Sequence, residues 1–526
     1  MHTLALVRPQ VRVPRSDAVE AVRWAGCLLA VGCAVAGAEW YLWWRPAPLV
    51  LAAVALAERW AGGLDRRTAA RRAGLILLVA AGWLVMRNPP SWSMVGLWAG
   101  RGLTGGALVA VALDSLPAAL RRLLARASAV LAANPGGRLA WLVALFAVAV
   151  PMGWYCHGFP KDRPPGDTLP VVPTVVRMLR HGDRDLSAYR PPCPAAYWRD
   201  YGPGLPYMLR EGRDGRLYSG YPAGMEAFAW PAVLVAAAAG LDLDDSVVHA
   251  RIESAAAAAL AGATLGLFFL AALRVGPPGA AFAVTAAVGA GSSLTTTVGQ
   301  ALWQQGGVAF WITLALWAEL AAGRWRTPVQ GVACGLMLAC RPSAVTFLLP
   351  FGLWVLLRDP RRGVLLPVIA ALAYLPWAAV YWQQFGQILG PTAGQLAAGD
   401  AGRPNWAFAA NLDGVLASPA RGLLVYQPWA LVLLVPAVRR GLPGGWHRFA
   451  AGFVALHVLL VGSWGMWWGG WCYGSRLVAE LVPVLGLLAV RPTARLLAGG
   501  GAAAVVFLGL AGAFVHHAYE RPEVRA

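Results

Sequence analysis

The run IESAAAAALAGATLGLFFLAAL (252–273) carries one charged side chain and is long enough to cross a lipid bilayer. Comparable apolar runs recur along the chain, and short arginine tracts separate them. A water-soluble core cannot hide that much apolar surface. Hydrophobic residues make up 58% of the chain and charged residues 13%, where soluble domains carry about 25% charged. The chain therefore reads as an all-α, polytopic integral membrane protein.

The net charge of +19 is nearly all arginine. An excess of this kind can point to nucleic acid. Here the arginines sit in short tracts between apolar runs, which is the pattern of cytoplasmic loops, so nucleic acid is excluded as a partner. The arginines also order the spans. In residues 1–130 the runs are 24–44, 47–60, 73–87 and 94–113, with RRTAARR (66–72) and RRLLAR (121–126) on the inner side. This region reads as a membrane part of about four helices with no assigned role. A second unit, 131–526, opens with an outward run at 139–156. The polar, Pro-rich and Tyr-rich stretch after it is extracytoplasmic, and that loop extends over 157–250. Within it, 171–181 reads as an amphipathic interfacial helix, with Val172, Val175, Val176 and Leu179 on one face and Thr174, Arg177 and His181 on the other. Residues 226–240 are too short to cross and read as an in-plane helix. The second unit then holds about 11 crossings, and the chain about 15.

This parity places five segments on one side of the membrane: PGDTLP (165–170), YSGYPAG (218–224), GQALWQQG (299–306), SPARGLLVYQPW (418–429) and WGMWWGGWCYGSR (464–476). Asp167 is either the N-cap of the helix that follows or a general base for an attacking alcohol. His249, Arg251, Arg341, Arg421 and Arg476 lie at outer ends of apolar runs, against the topological bias. Guanidinium forks suit a phosphate leaving group; the alternative is contact with lipid headgroups. Trp464, Trp467, Trp468, Trp471 and Tyr473 read as an interfacial belt or as a platform for sugar rings. Gln304 and Gln305, with Tyr218, Tyr221 and Tyr426, are candidates to bind sugar or acceptor. Asp183 and Asp185 form an Asp-x-Asp that suits a divalent cation, but Arg184 between them favours a solvated helix end. No metal site is assigned and no cofactor is required. Cys156 and Cys193 flank the outer segment, where a disulfide is one option and two free thiols the other. The composition fits a bacterial chain. No P-loop, GxSxG, HExxH or Rossmann fingerprint is present.

At these residues the chain resembles the GT-C membrane glycosyltransferases, in particular the bacterial relatives of protein O-mannosyltransferases and aminoarabinose transferases. The likeness covers roughly 135–515. It rests on PGDTLPVVPTVVRMLRHGDRDL, YSGYPAG, ALWQQG, LACRPSA, SPARGLLVYQPW and WWGGWCYGSR in that order. The resemblance implies a GT-C-like helix bundle whose first outer loop carries juxtamembrane helices. It implies a polyprenyl-phosphate-linked sugar as donor, an acceptor glycan, lipid or protein, and inversion at the anomeric carbon. Asp167 matches the first-loop carboxylate, and Arg251 the arginine that opens the next crossing. Thr168 stands where many relatives carry a second acid, and Gln305 where a histidine is common. The expected location is the bacterial inner membrane, with the site facing the periplasm or exterior. A transporter or flippase for lipid-linked saccharides needs the same arginines but no base. A polysaccharide polymerase or ligase shares the chemistry and differs in acceptor.

Overall fold

The computed structural model describes residues 118–157, 165–189, 205–390, 408–418, 420–434, 445–470, 472–499 and 509. The chain packs as two units, 1–127 and 128–526. Of the first unit only 118–127 are described, so the four crossings expected before 114 lie outside the described residues. RRLLAR (121–126), read as a connection, lies inside helix α1 (Ala118–Ala133).

The described structure is helical apart from one hairpin. Helix α2 (Arg138–His157) passes through a π-helical stretch at Ala144–Ala149. The expected amphipathic helix is α3 (Val171–His181). Strands β1 (Leu209–Glu211) and β2 (Leu217–Ser219) pair antiparallel, Arg210 opposite Tyr218. Helix α4 (Glu226–Ala238) has 13 residues, about 20 Å, too short for the roughly 30 Å of a hydrocarbon core. The bundle follows as α5 (Ser246–Val275), α6 (Pro278–Ala290), α7 (Gln304–Ala321), α8 (Arg326–Cys340), α9 (Val345–Arg358) and α10 (Pro360–Phe385). It ends with α11 (Phe408–Ala417), the single turn α12 (Leu423–Tyr426), α13 (Trp446–Gly462) and α14 (Val482–Ala498). A 3-10 turn, Arg476–Leu481, leads into α14. Among the described residues, four helical stretches are long and apolar enough to cross a membrane: Arg138–His157, Ser246–Val275, Pro360–Phe385 and Arg476–Ala498.

Helix α5 is central, and its small residues let α2 approach. A Cβ on Gly262 would lie 2.4 Å from the Ala149 carbonyl oxygen, and one on Gly266 would lie 3.0 Å from that of Ala144. Both carbonyls belong to the π-helical stretch, so backbone meets backbone at a small-xxx-small face. Gly262→Val is expected to push the helices apart and lower both monodisperse yield and unfolding temperature in detergent. Gly279→Val, at a position with nothing within 4 Å, is the control and should behave as wild type. At the rim, α10 exposes Leu365, Val368, Leu372 and Leu375, one helical stripe of apolar side chains turned away from the bundle.

The helices alternate in direction, which gives the bundle two chemically different ends. At one end Arg362 donates to Glu319 at 2.7 Å, to Gln330 at 2.8 Å and to Thr327 at 3.1 Å. Arg491 Nε donates to the Val275 carbonyl at 2.9 Å at the same end. At the other end Glu253, near the start of α5, accepts from the Leu302 amide at 3.1 Å. There too, the backbone amide of Arg213 donates to the Gln384 carbonyl at 2.8 Å. Among the described residues, Arg362 and Arg491 thus lie at the end away from the five segments singled out in the sequence.

Two local readings are corrected. Thr174 is buried and donates its hydroxyl to the Pro170 carbonyl at 2.7 Å, whereas Leu179 is exposed. The apolar stripe of α3 therefore runs through Thr174 and stops before Leu179. Asp167 does not cap α3: its N-cap is Pro170.

Candidate functional site

A tight turn after Pro165 sets the position of Asp167. The Thr168 and Leu169 amides donate to the Pro165 carbonyl at 3.0 and 3.1 Å, and the Thr168 hydroxyl does so at 3.1 Å. Thr168 is buried, so this turn is anchored inward while Asp167 projects. Its carboxylate meets three donors. Tyr207 and Tyr221 each donate to Oδ1 at 2.8 Å, and Arg476 Nη1 donates to Oδ2 at 2.9 Å.

Arg476 is held from several sides. Its Nη2 donates to the Gly469 carbonyl at 2.6 Å, and its guanidinium lies over the Trp303 ring at 4.0 Å from the centroid. That stacking is the cation–π contact to which a planar guanidinium is suited. Its Nε is buried without a hydrogen-bond partner. The loop that presents the Gly469 carbonyl needs left-handed backbone at Gly469 (φ 78°) and Gly470 (φ 73°), a region open to glycine at little cost.

Arg421 stands beside this group, donating to the Gly470 carbonyl at 3.2 Å. Tyr426 and Tyr473 meet edge to face at 5.5 Å. Gln427 is buried and donates to the Ser475 hydroxyl at 3.4 Å, with its Oε1 unpartnered. Gln305 is also buried, and its Oε1 has no partner. Burial and the neighbouring Asp167 charge push the Tyr221 hydroxyl well above the usual tyrosine range, so Tyr221 stays protonated and remains a donor to Asp167. Burial likewise pushes the Cys472 thiol up, against the pull of Arg476 and Arg421.

Residues from all five segments therefore meet at one end of the bundle. Asp167, Tyr221, Trp303 and Arg476 are joined by hydrogen bonds and a ring contact, and Arg421 bonds to the carbonyl next to the one that holds Arg476. Other sequence candidates lie elsewhere. Arg341 is bound to the fully buried Glu480. His249 is buried, with Nε2 2.7 Å from the Leu243 carbonyl. Arg251 is exposed in the first turns of α5. Tyr218 donates to Asp214 at 2.6 Å and packs on Phe385, which ties the hairpin to α10. Gln304 opens α7 half-buried, and Trp468 is exposed against Trp467. Trp471 and Cys193 lie outside the described residues, and Cys156 is buried under Gly299.

The Asp-x-Asp is used structurally. Asp183 takes Nη2 of Arg177 on both its oxygens at 2.8 Å, and Asp185 accepts from the Ser187 amide at 2.8 Å. Downstream, Asp245 caps α5 through the Val247 amide. Among the described residues no three His, Cys, Asp or Glu side chains are grouped to hold a metal ion.

Tyr207 and Trp303 are partners that no sequence motif marks, although they lie in the Tyr-rich outer stretch and in ALWQQG. The sequence pattern also gives no sign of the ion pair between half-buried Arg184 and buried Glu226, which ties the end of the α3 segment to α4. No family model matches the chain, and no curated protein matches it.

Proposed function

We propose that the chain is an integral membrane glycosyltransferase of GT-C type. It moves a sugar from a polyprenyl-phosphate donor to an acceptor hydroxyl or amine on the membrane face where Asp167 lies, with about 15 crossings in all. The observation that carries this reading is the Asp167–Arg476 pair, with Arg421 beside it, at the end of an apolar bundle opposite Arg362 and Arg491. The exposed apolar stripe on α10 faces lipid, and α4 lies along the interface.

The chemistry follows from the charges. The acceptor oxygen attacks the anomeric carbon, and the bond from that carbon to the phosphate oxygen breaks. Asp167 receives the acceptor proton. The phosphate leaves as an anion and needs positive charge, not a proton. Arg421 supplies it, with Arg476 behind it, one carboxylate against two guanidinium groups. Arg341 is neutralised by Glu480 and is left out of this role. The Tyr426–Tyr473 pair beside Arg421 is the surface for sugar or acceptor.

Asp167→Asn keeps the shape and removes the base. Transfer is expected to fall about 10²–10⁴-fold, with donor binding retained, when short-chain polyprenyl-phosphate mannose and its acceptor products are followed by mass spectrometry. Transfer at the wild-type rate by the Asn variant would refute Asp167 as the base, and no transfer by either protein would favour a carrier of lipid-linked saccharides.

A further inference from the structure

We propose that Arg274 and Arg491, at the end of the bundle opposite Asp167, form a binding site for the phosphate group of an anionic lipid. The site rests on the chain lying in a bilayer and is independent of sugar transfer.

Three elements build it. Arg274 lies in the last turn of α5. Its guanidinium is seated on the turn between α1 and α2, where a Cβ on Gly136 would come within 2.5 Å of Nη2. Only a residue without a side chain lets the guanidinium lie so close to the backbone. Arg491 on α14 gives Nε to the Val275 carbonyl at 2.9 Å, one of those that a helix leaves unpaired at its C-terminus. This bond fixes the stem of Arg491 and leaves both terminal nitrogens for another acceptor.

Charge is unbalanced at this place. Arg274 Nε is buried without a hydrogen-bond partner. Among the described residues, the acids of this end are engaged elsewhere, Glu319 with Arg326 and Arg362 and Asp359 with the Arg362 amide. Neither Arg274 nor Arg491 is paired with a carboxylate among those residues. Arg138 opens α2 two residues beyond Gly136, and Arg495 stands one turn beyond Arg491; both are exposed. Cations fixed on adjoining helix ends with no acid between them repel one another. A phosphate held by guanidinium forks removes that cost.

The apolar surface beside the arginines favours a lipid over free phosphate. One turn into α2, Trp141, Leu142 and Leu145 are exposed, and Trp141 meets Trp317 edge to face at 5.8 Å. A headgroup at Arg274 therefore sets its acyl chains along α2. Basic clefts between helix ends hold anionic headgroups in this way.

Native mass spectrometry of the detergent-purified full chain, titrated with phosphatidylglycerol or with zwitterionic phosphatidylcholine, tests the site. Wild type should retain phosphatidylglycerol more tightly than phosphatidylcholine. Arg274→Gln should weaken phosphatidylglycerol retention about tenfold, the size expected for losing one charge-assisted hydrogen bond. Gly136→Ala should weaken it too, because the new methyl group meets only the flexible end of Arg274 and the fold is kept. Arg324→Gln removes an exposed charge that lies over Trp325 and should bind lipid as wild type does. Equal loss in Arg324→Gln and Arg274→Gln overturns the site, since the lipid then answers to net charge alone. A wild type with no preference between the lipids, and with an unfolding temperature that inorganic phosphate does not move, overturns it as well. Inorganic phosphate that raises the unfolding temperature of wild type but not of Arg274→Gln, with no preference between the lipids, keeps the anion site and overturns the lipid as its source. None of these outcomes depends on sugar transfer, so this site and the glycosyltransferase reading fail separately.

Discussion

Arg476→Lys is expected to cut sugar transfer by about 10²–10³-fold, the loss typical of one misplaced donor at a developing charge. The positive charge survives this change, so geometry is what is tested. Arg476 uses Nη1 on Asp167 and Nη2 on the Gly469 carbonyl while its plane lies over Trp303. A lysine ammonium is a compact point charge on a flexible stem and cannot hold all three contacts in one pose. Asp167 then loses its buried anchor, and the 464–475 loop loses the tie through Gly469. Arg421→Lys removes a single bond to Gly470 and should cost less. Both are measured as transfer rates at saturating donor, with Asp167→Asn as the reference for loss of the base. An Arg476→Lys protein that transfers at the wild-type rate would show that the guanidinium geometry is irrelevant.

The grouping of the five segments was legible in the sequence because the arginine tracts fix which ends of the apolar runs lie together. That bookkeeping works at the scale of whole helices. It did not separate one arginine from another. Arg251, Arg341, Arg421 and Arg476 all stand at comparable helix ends, and only packing reveals that Arg341 is already matched by a carboxylate 139 residues away. Glu480 sits in the run LVAELVP, where hydropathy treats one acid as noise. Helical-face arithmetic placed Thr174 with Arg177. A threonine that returns its hydroxyl to the carbonyl four residues back needs no solvent, and this one is buried. Asp167 read equally well as a helix cap, because the turn after Pro165 that moves the helix start to Pro170 is a matter of backbone angles. Tyr207 was hidden among many tyrosines in an outer stretch whose hairpin was not foreseen.

Glu480→Gln is expected to destabilise the fold by about 3–5 kcal/mol, the cost of leaving a buried charge without its partner. Glu480 is fully buried, bound to Arg341, with Ser343 Oγ at 3.4 Å and His457 Nδ1 at 3.7 Å. His457 is itself fixed through Nε2 to the Leu477 carbonyl at 2.8 Å, so the cluster joins the start of α9, α13 and the Arg476–Leu481 turn. The single variant strands the Arg341 guanidinium among apolar helices and should unfold at a markedly lower temperature in detergent. The double variant Arg341→Met with Glu480→Leu removes both charges and should recover most of that loss, since an apolar pair of similar volume commonly replaces a buried ion pair without penalty. Glu480 shares the 3-10 turn with Arg476, so transfer should follow the same order, worst in the single variant and better in the double. Stability that returns in the double variant without transfer would mean that the charges set the pose of Arg476 and not merely the integrity of the bundle. A single variant that unfolds at the wild-type temperature would refute the pairing itself.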